Sequence, residues 1–336
     1  MHSAPSPFCG FKYARFPRPL GRCIAILAML FLCTGAHAKA HIVGFAQSDT
    51  AESDWRKADT ESFREAAKEL GISLVIKDAG GSTDVQRRQV GELIDQNVDA
   101  IVLSANEIHG WDGILLRAKQ ARIPVVLSDR TLVLLPENQD KRLFVTWIGS
   151  DFRYEGRAAG AWLAQETAGH CNIVEIQGPP DAAPSIERGK GFREVVSLFP
   201  GMKIIASRPG MWRADRAKLV MQGFLKDEGA NICAVFAHND NMAFGAIEAI
   251  ESNKQLGLKP GKDILVVGVD GVRHAFELLV EKKLNALVEC NPLLGKVVLK
   301  VVVEVLHGRS FPPRMYMEDK VYTIHNAAAA LPARKY

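Results

Sequence analysis

Long apolar stretches are scarce in this chain. The one near the start, Cys23 to Cys33, falls well short of the ~20 residues that a membrane-spanning helix needs, and nothing after it resembles a span. Aromatic residues are 7% of 336, and cysteine occurs six times. No His/Cys spacing suits a metal, no Gly-rich loop suits a phosphate, and the nine His are scattered. Metal-dependent and nucleotide-dependent chemistry therefore lacks a sequence basis, and neither a cofactor nor a metal is expected.

The first residues carry a different signal. A basic stretch (Lys12, Arg15, Arg18, Arg22), the short apolar run and a small-residue site, Ala36-His37-Ala38, follow one another. That is the layout of a secretory signal peptide spanning residues 1–38, with cleavage after Ala38. Leu32 is too bulky to favour a lipid anchor on Cys33. Removal takes away four basic and no acidic residues, so a formal charge of +4 falls to zero. A neutral chain has no electrostatic footprint for nucleic acid or an anionic membrane. An exported, soluble protein is expected, retaining Cys171, Cys233 and Cys290.

From His41 onward short apolar runs alternate with polar loops and stretches of helical period. The first series holds HIVGFA, ISLVIKDA, AIVLSA and PVVLSDR; the second, after Ser150, holds CNIVEI, MKIIAS, ICAVFA, DILVVGV and NALVEC. The intervening helical faces include Phe63-Ala66-Ala67-Leu70 and Leu219-Met221-Phe224-Leu225. Continuously apolar strands alternating with helices predict parallel sheets covered on both faces, here an α/β chain of two doubly wound lobes.

Ligands of open α/β sheets bind beyond the carboxyl ends of the strands. Those ends are unusually polar in this sequence: SDTAESDWR, SDRT, IQG ahead of Ile186-Glu187-Arg188, AHNDN, GVDGV and VECNP. Asn and Asp at such places cap helices, and Asp240 is expected to do so. Arg is no capping residue, so Arg56, Arg130 and Arg188 ask for another explanation.

In order and over essentially the whole chain after the leader, SDWRKADT, VDAIVLSA, IPVVLSDR, CNIVEIQG, IERGKGF, NICAVFAHNDNM and LKPGKDILVVGVDG are similar to segments of one family. The chain resembles the type I periplasmic sugar-binding proteins of ABC transporters, and among them the galactofuranose-binding members. The resemblance implies two lobes joined by a three-segment hinge, with residues 41–147 and 291–318 in one lobe and 150–289 and 321–330 in the other. It implies a periplasmic, non-enzymatic monomer that clamps a monosaccharide and delivers it to an inner-membrane ABC permease with its ATPase. The alternative is a sugar receptor for a sensor kinase or chemoreceptor.

Carried over residue by residue, the implied ligand contacts are Ser53, Trp55, Arg56, Asp129, Arg130, Arg188, Asn239, Asp270 and Glu289. Trp212, in RPGMWRADR, takes the place of a second stacking aromatic. The types suit a sugar. Carboxylates accept from hydroxyls, Arg donates a rigid pair, Asn does one of each, and an indole packs on the C–H face of the ring. Plainer readings stand beside these: packing for Trp55, helix entry for Trp212, an ion pair for Asp129-Arg130, a turn for Asp270 and a solvated face for Arg188. Asp129, Asp270 and Glu289 also raise a glycoside-hydrolase reading. The Arg or amide expected beside each would hold it ionised, against the role of general acid. The loop GPPDAAPS, Cys290 and the segment Leu132–Lys141 depart from the family pattern.

Doubly wound halves order their strands 2-1-3-4-5, which makes the first and third strands of the second lobe neighbours. Cys171 opens the first and Cys233 lies near the start of the third. Parallel neighbours lie ~4.8 Å apart, so these two are expected to form a disulfide, closing a loop of about 60 residues and leaving Cys290 free.

Overall fold

The computed structural model describes residues 40–336, and the expected leader lies outside the described residues. The first sheet is built on β1 (Ile42–Gln47), β2 (Ser73–Asp78), β3 (Ala100–Leu103), β4 (Val125–Ser128) and β5 (Trp147–Gly149). The second is built on β6 (His170–Gln177), β7 (Gly201–Pro209), β8 (Ala234–Ala237), β9 (Leu265–Asp270) and β10 (Ala286–Glu289). Two short strands complete them, β11 (Arg314–Tyr316) on the first and β12 (Val321–Thr323) on the second. The orders are β2-β1-β3-β4-β5-β11 and β7-β6-β8-β9-β10-β12, parallel except that β12 runs antiparallel to β10. Both sheets therefore have the doubly wound order expected of this fold class.

The helices α1 (Asp54–Leu70), α2 (Thr83–Asp95) and α3 (Asp112–Gln120) cover the first sheet's strands in sequence. The second series is α4 (Phe152–Glu166), α5 (Ala183–Val196), α6 (Ala214–Asp227), α7 (Asp240–Ser252) and α8 (Arg273–Val280). Then come α9 (Gly295–Leu306) and a single turn, α10 (Ala327–Ala330). Ser53, Ser82, Asp151 and Asn239 cap α1, α2, α4 and α7 through their side-chain oxygens, satisfying amides that a first turn leaves free. No helix among the described residues is long and apolar enough to cross a membrane.

The inner strands β3, β4, β8 and β10 are buried on both faces because helices cover both, which explains their continuous apolar runs, whereas the edge strands β2 and β7 are only partly covered. One expected apolar position fails. Leu219 is 64% exposed, whereas Ala217, Met221, Phe224 and Leu225 of the same helix are buried. Leu219 falls two residues from both Ala217 and Met221, which on a helix turns it away from the face they share.

The chain passes between the sheets three times: between β5 and α4, between β10 and α9, and between β11 and β12. After the second passage α9 packs on α1, so this stretch belongs with the first sheet. Cys171 and Cys233 form a disulfide with Cα atoms 5.3 Å apart, and Cys290 is free and buried. The bond follows from β6 and β8 being neighbours, as the strand order requires.

Candidate functional site

The carboxyl ends of the two sheets face one another across a narrow cleft. Its walls leave about 290 Å³ free of protein atoms, counting the open mouth. The first sheet contributes Ser53, Trp55 and Arg56 from the start of α1, and Asp129 and Arg130 from the end of β4. The second contributes Arg188 from α5, Trp212 from the loop after β7, Asn239 after β8 and Asp270 at the end of β9. Nine of the ten residues expected to meet a ligand thus stand around one space.

Glu289 does not. Its carboxylate accepts from Arg334 Nη1 at 2.6 Å, with the hydroxyls of Tyr336 and Tyr322 at 3.4 and 3.5 Å. The next residue, Cys290, lines the cleft instead, together with Glu52 and Pro184. Sequence reasoning passed over all three. Glu52 had left a signal, because it lies four residues before Arg56, a spacing that lets an acidic and a basic side chain meet at a helix start.

Arg56 anchors the first wall and is 1% exposed. Its Nε donates to Glu52, Nη1 to Asp59 and to Ser104 Oγ, and Nη2 to Asp129. Burial alone would lower its pKa, but Asp129, Glu52 and Asp59 outweigh burial and raise it. Asp59 stands behind it, pushed up to about 7 by burial despite Arg56. Glu52 Oε1 also accepts from Arg130. Every guanidinium of this wall therefore faces a carboxylate before any ligand is considered.

Arg188 organises the second wall. Nε donates to Glu155 at 2.6 Å, Nη1 donates to the carbonyl of His238 at 2.6 Å, and Nη2 lies 3.6 Å from Asp270. Gly156 lets α4 approach α5 closely enough for this, since a Cβ there would sit 2.0 Å from the Arg188 carbonyl oxygen. Asp270 departs from expectation. Its pKa is raised well above the carboxylate range, because burial outweighs the pull of Arg188.

The two indoles stand on opposite walls. Trp55 Nε1 donates to the carbonyl of Cys290. Trp212 lies with the guanidiniums of Arg130 and Arg188 each 5.9 Å from its ring. Its seat depends on Gly178, where a Cβ would come within 2.1 Å of the indole. Backbone at Asp129, Trp212 and Asp270 has φ of 59°, 64° and 124°, conformations that L-residues seldom adopt and that concentrate at ligand clamps.

The cluster His238-Asn239-Asp240-Asn241 now resolves into four tasks. The His238 carbonyl receives Arg188, while its buried ring Nε2 meets Glu175 at 2.9 Å. Asn239 caps α7 with Oδ1 and donates Nδ2 to the carbonyl of Trp212. Asp240 does not cap its own helix as expected. Its Oδ2 accepts from the amides of Gly271 and Val272 at 2.8 Å each, because Asn239 already fills the capping position. Asn241 reaches across the cleft mouth to Asp54.

Among the described residues, two buried donors of cleft-lining side chains make no hydrogen bond: Arg130 Nε, which lies 3.9 Å from Asp129 Oδ2, and Trp212 Nε1. Buried polar groups are ordinarily hydrogen-bonded, so unspent donors on residues that line a cleft are what a hydroxyl-bearing ligand could use.

Residues 43–310 match the periplasmic binding protein domain family. The galactofuranose-binding protein YtfQ of Escherichia coli (strain K12) is 42% identical over 253 residues, covering 74% of this chain and 77% of that protein. Two solved structures superpose with a TM-score of 0.83. One is the binding component of the arabinose ABC transporter from Shewanella sp. ANA-3, bound to α- and β-L-arabinofuranose, at 40% identity over 88% of this chain and 95% of the other. The second is a protein from Mycobacterium smegmatis in complex with β-D-fucofuranose, at 42% identity over 88% and 96%. With two parallel sheets, three passages between them and a polar cleft at their carboxyl ends, the chain belongs to the periplasmic binding protein family.

Proposed function

We propose that this protein captures a neutral monosaccharide in its furanose form between the two lobes and hands it to an ABC importer in the inner membrane. Ser53, Trp55, Arg56, Asp129, Arg130, Arg188, Trp212, Asn239 and Asp270 are the proposed contacts. The observation that carries the reading is the pair of unspent buried donors, Arg130 Nε and Trp212 Nε1, in a cleft otherwise lined by mutually paired charges. A ligand rich in hydroxyls matches these donors, and a charged one would have to break Arg–carboxylate pairs to enter. The two indoles offer apolar planes for the C–H faces of a sugar ring. The relatives named above support a furanose in particular.

Binding rather than catalysis is the reading that two of the three carboxylates support; Asp270, raised by burial, would need a second, unengaged carboxylate opposite it to act as a general acid. Glu289 is committed to Arg334, and Asp129 is engaged by Arg56. We place the protein in the periplasm, acting as a monomer.

Calorimetric titration with L-arabinose, D-galactose, D-fucose and D-galacturonate tests this. Saturable binding of at least one neutral sugar, recovered chemically unchanged, with no binding of the uronate, is expected. Tighter binding of the uronate than of every neutral sugar would overturn the proposal.

A further inference from the structure

Glu289 sits one residue before the second passage between the sheets, and what holds it comes from the end of the described chain. Arg334 is half ringed by aromatic faces, its guanidinium carbon lying 4.1 Å from the ring centre of Phe276, 4.7 Å from Tyr322 and 5.6 Å from Tyr336. From that cage Nη1 donates to Glu289 Oε1 and to the Tyr336 hydroxyl, each at 2.6 Å. The main-chain oxygen of Tyr336 accepts from the amide of Arg273 at 2.6 Å, which fastens the tail to the start of α8.

Both ends of this clamp bear on the cleft. Glu289 pairs in register with Asp270, and the amide of Cys290 donates to the Asp270 carbonyl at 2.8 Å. The carbonyl of Cys290 in turn receives the indole of Trp55. The loop from Asp270 to Val272 is thus held by Asp240 on one side, while Arg334 and Glu289 lie beside Gly271 on the other, 3.6 and 3.9 Å from where a Cβ would stand. Asp270 and Gly271 need that support, since both have positive φ (124° and 105°).

We propose that Arg334 is a positioning residue for the cleft. By clamping Glu289 it fixes the end of β10, so that Asp270 meets the ligand and Cys290 meets Trp55, and it sets the sugar affinity without touching sugar. This rests on the sugar-binding reading of the cleft. It also gives Glu289 a role: it anchors the tail. Within a family whose hinge must flex, a charge-assisted bond at the edge of one passage limits how far β10 can drift when the lobes part.

The experiment compares the parent protein with Arg334→Gln, Arg334→Lys, Glu289→Gln and the Arg334→Gln/Glu289→Gln pair. Each is titrated with the neutral sugar the parent binds best. Amide exchange is followed at Val272 and Cys290, with α2 as an internal control, in the absence of sugar. Arg334→Gln is expected to weaken binding about tenfold, mostly through faster release, with Arg334→Lys retaining more affinity than Gln. The double variant should be no weaker than the weaker single, as expected of two residues acting as one unit. Exchange should quicken at Val272 and Cys290 and not in α2. A lowered melting temperature with affinity within about twofold of the parent would reduce the clamp to a structural staple and overturn the proposal. If the parent binds none of the sugars, the furanose reading fails on its own. The clamp then stands or falls on the exchange at Val272 and Cys290.

Discussion

Asp54 and Asn241 exchange two hydrogen bonds across the mouth of the cleft: Asn241 Oδ1 accepts from the Asp54 amide and Asn241 Nδ2 donates to Asp54 Oδ2, each at 3.1 Å. One residue opens α1 and the other lies in the first turn of α7, so the pair exists only while the lobes are together. Each bond is partly exposed and contributes on the order of 0.5–1 kcal/mol net. Asn241→Ala removes both and should therefore accelerate sugar release about five- to thirtyfold and leave the melting temperature of the sugar-free protein nearly unchanged. Stopped-flow Trp fluorescence reads the rate, and an unaltered release rate would remove Asn241 from the closing contact.

Arg188→Ala should abolish measurable sugar binding and also lower stability. Removing the guanidinium strands Glu155, which is fully buried, and breaking one half of a buried pair costs about 3–5 kcal/mol. Trp55→Phe makes the contrast. It keeps an aromatic plane while losing the donor to Cys290, so affinity should fall with little change in unfolding free energy. Urea unfolding beside calorimetry separates the two, and equal stability losses would contradict the account of Glu155.

How much of this was legible beforehand varies with distance along the chain. The nine longer strands announced themselves as apolar runs between turn residues, because covering both faces of a strand leaves no room for alternation. The three-residue strands β5, β11 and β12 did not. They lie at or near the sheet edges at the passages between lobes, and three residues carry no period. Ser53, Arg56 and Arg130 were placed beside the cleft because they lie in the segments that leave β1 and β4 at their carboxyl ends. Glu289 followed its strand too and was misjudged, since what removes it from the cleft is Arg334, 45 residues further on. Asp240 was misassigned for a similar reason: its partners, Gly271 and Val272, begin a different helix. Local pattern identifies which residues stand near a site. Pairing with distant partners decides which of them remain available.

Replacing Cys171 and Cys233 by serine should reduce stability by up to ~4 kcal/mol in the chain-entropy model, for a cross-link spanning 62 residues. Sugar affinity should not change, because both residues lie at the amino end of the second sheet while the cleft lies at its carboxyl end. Denaturation midpoints with and without reductant, beside titrations of the same samples, provide the check. A loss of affinity in the folded, reduced protein would contradict the separation.

The stability contributed by three buried carboxyls should fall as pH rises from about 4 to about 8. Asp319, at the third passage between the sheets, is pushed up to about 8 by burial and by Glu155, against Ser150 and Arg188, from an ordinary value of 3.8. Asp59 and Asp240 are each raised to about 7, chiefly by burial. A carboxyl with a raised folded pKa binds more protons folded than unfolded throughout that window. Its contribution is complete below the unfolded value and is lost as pH climbs through the folded one. Asp319→Asn should flatten the slope of melting temperature between pH 5 and pH 8. An unchanged slope would mean that Asp319 ionises freely in the folded protein.

The backbone at Asp129, Trp212 and Asp270 has a consequence for how this cleft can change over generations. A residue held at positive φ sacrifices on the order of 1–3 kcal/mol of fold stability, and glycine at the same place would recover part of it. Selection for robustness alone therefore pushes these positions toward glycine, while selection for uptake holds them in place. Paralogues that switch to another sugar have an easier path through Pro184 and Cys290, where the backbone imposes no such opposition. The shape of the cleft floor should thus outlast its chemistry: new specificities would arise on an inherited set of bends.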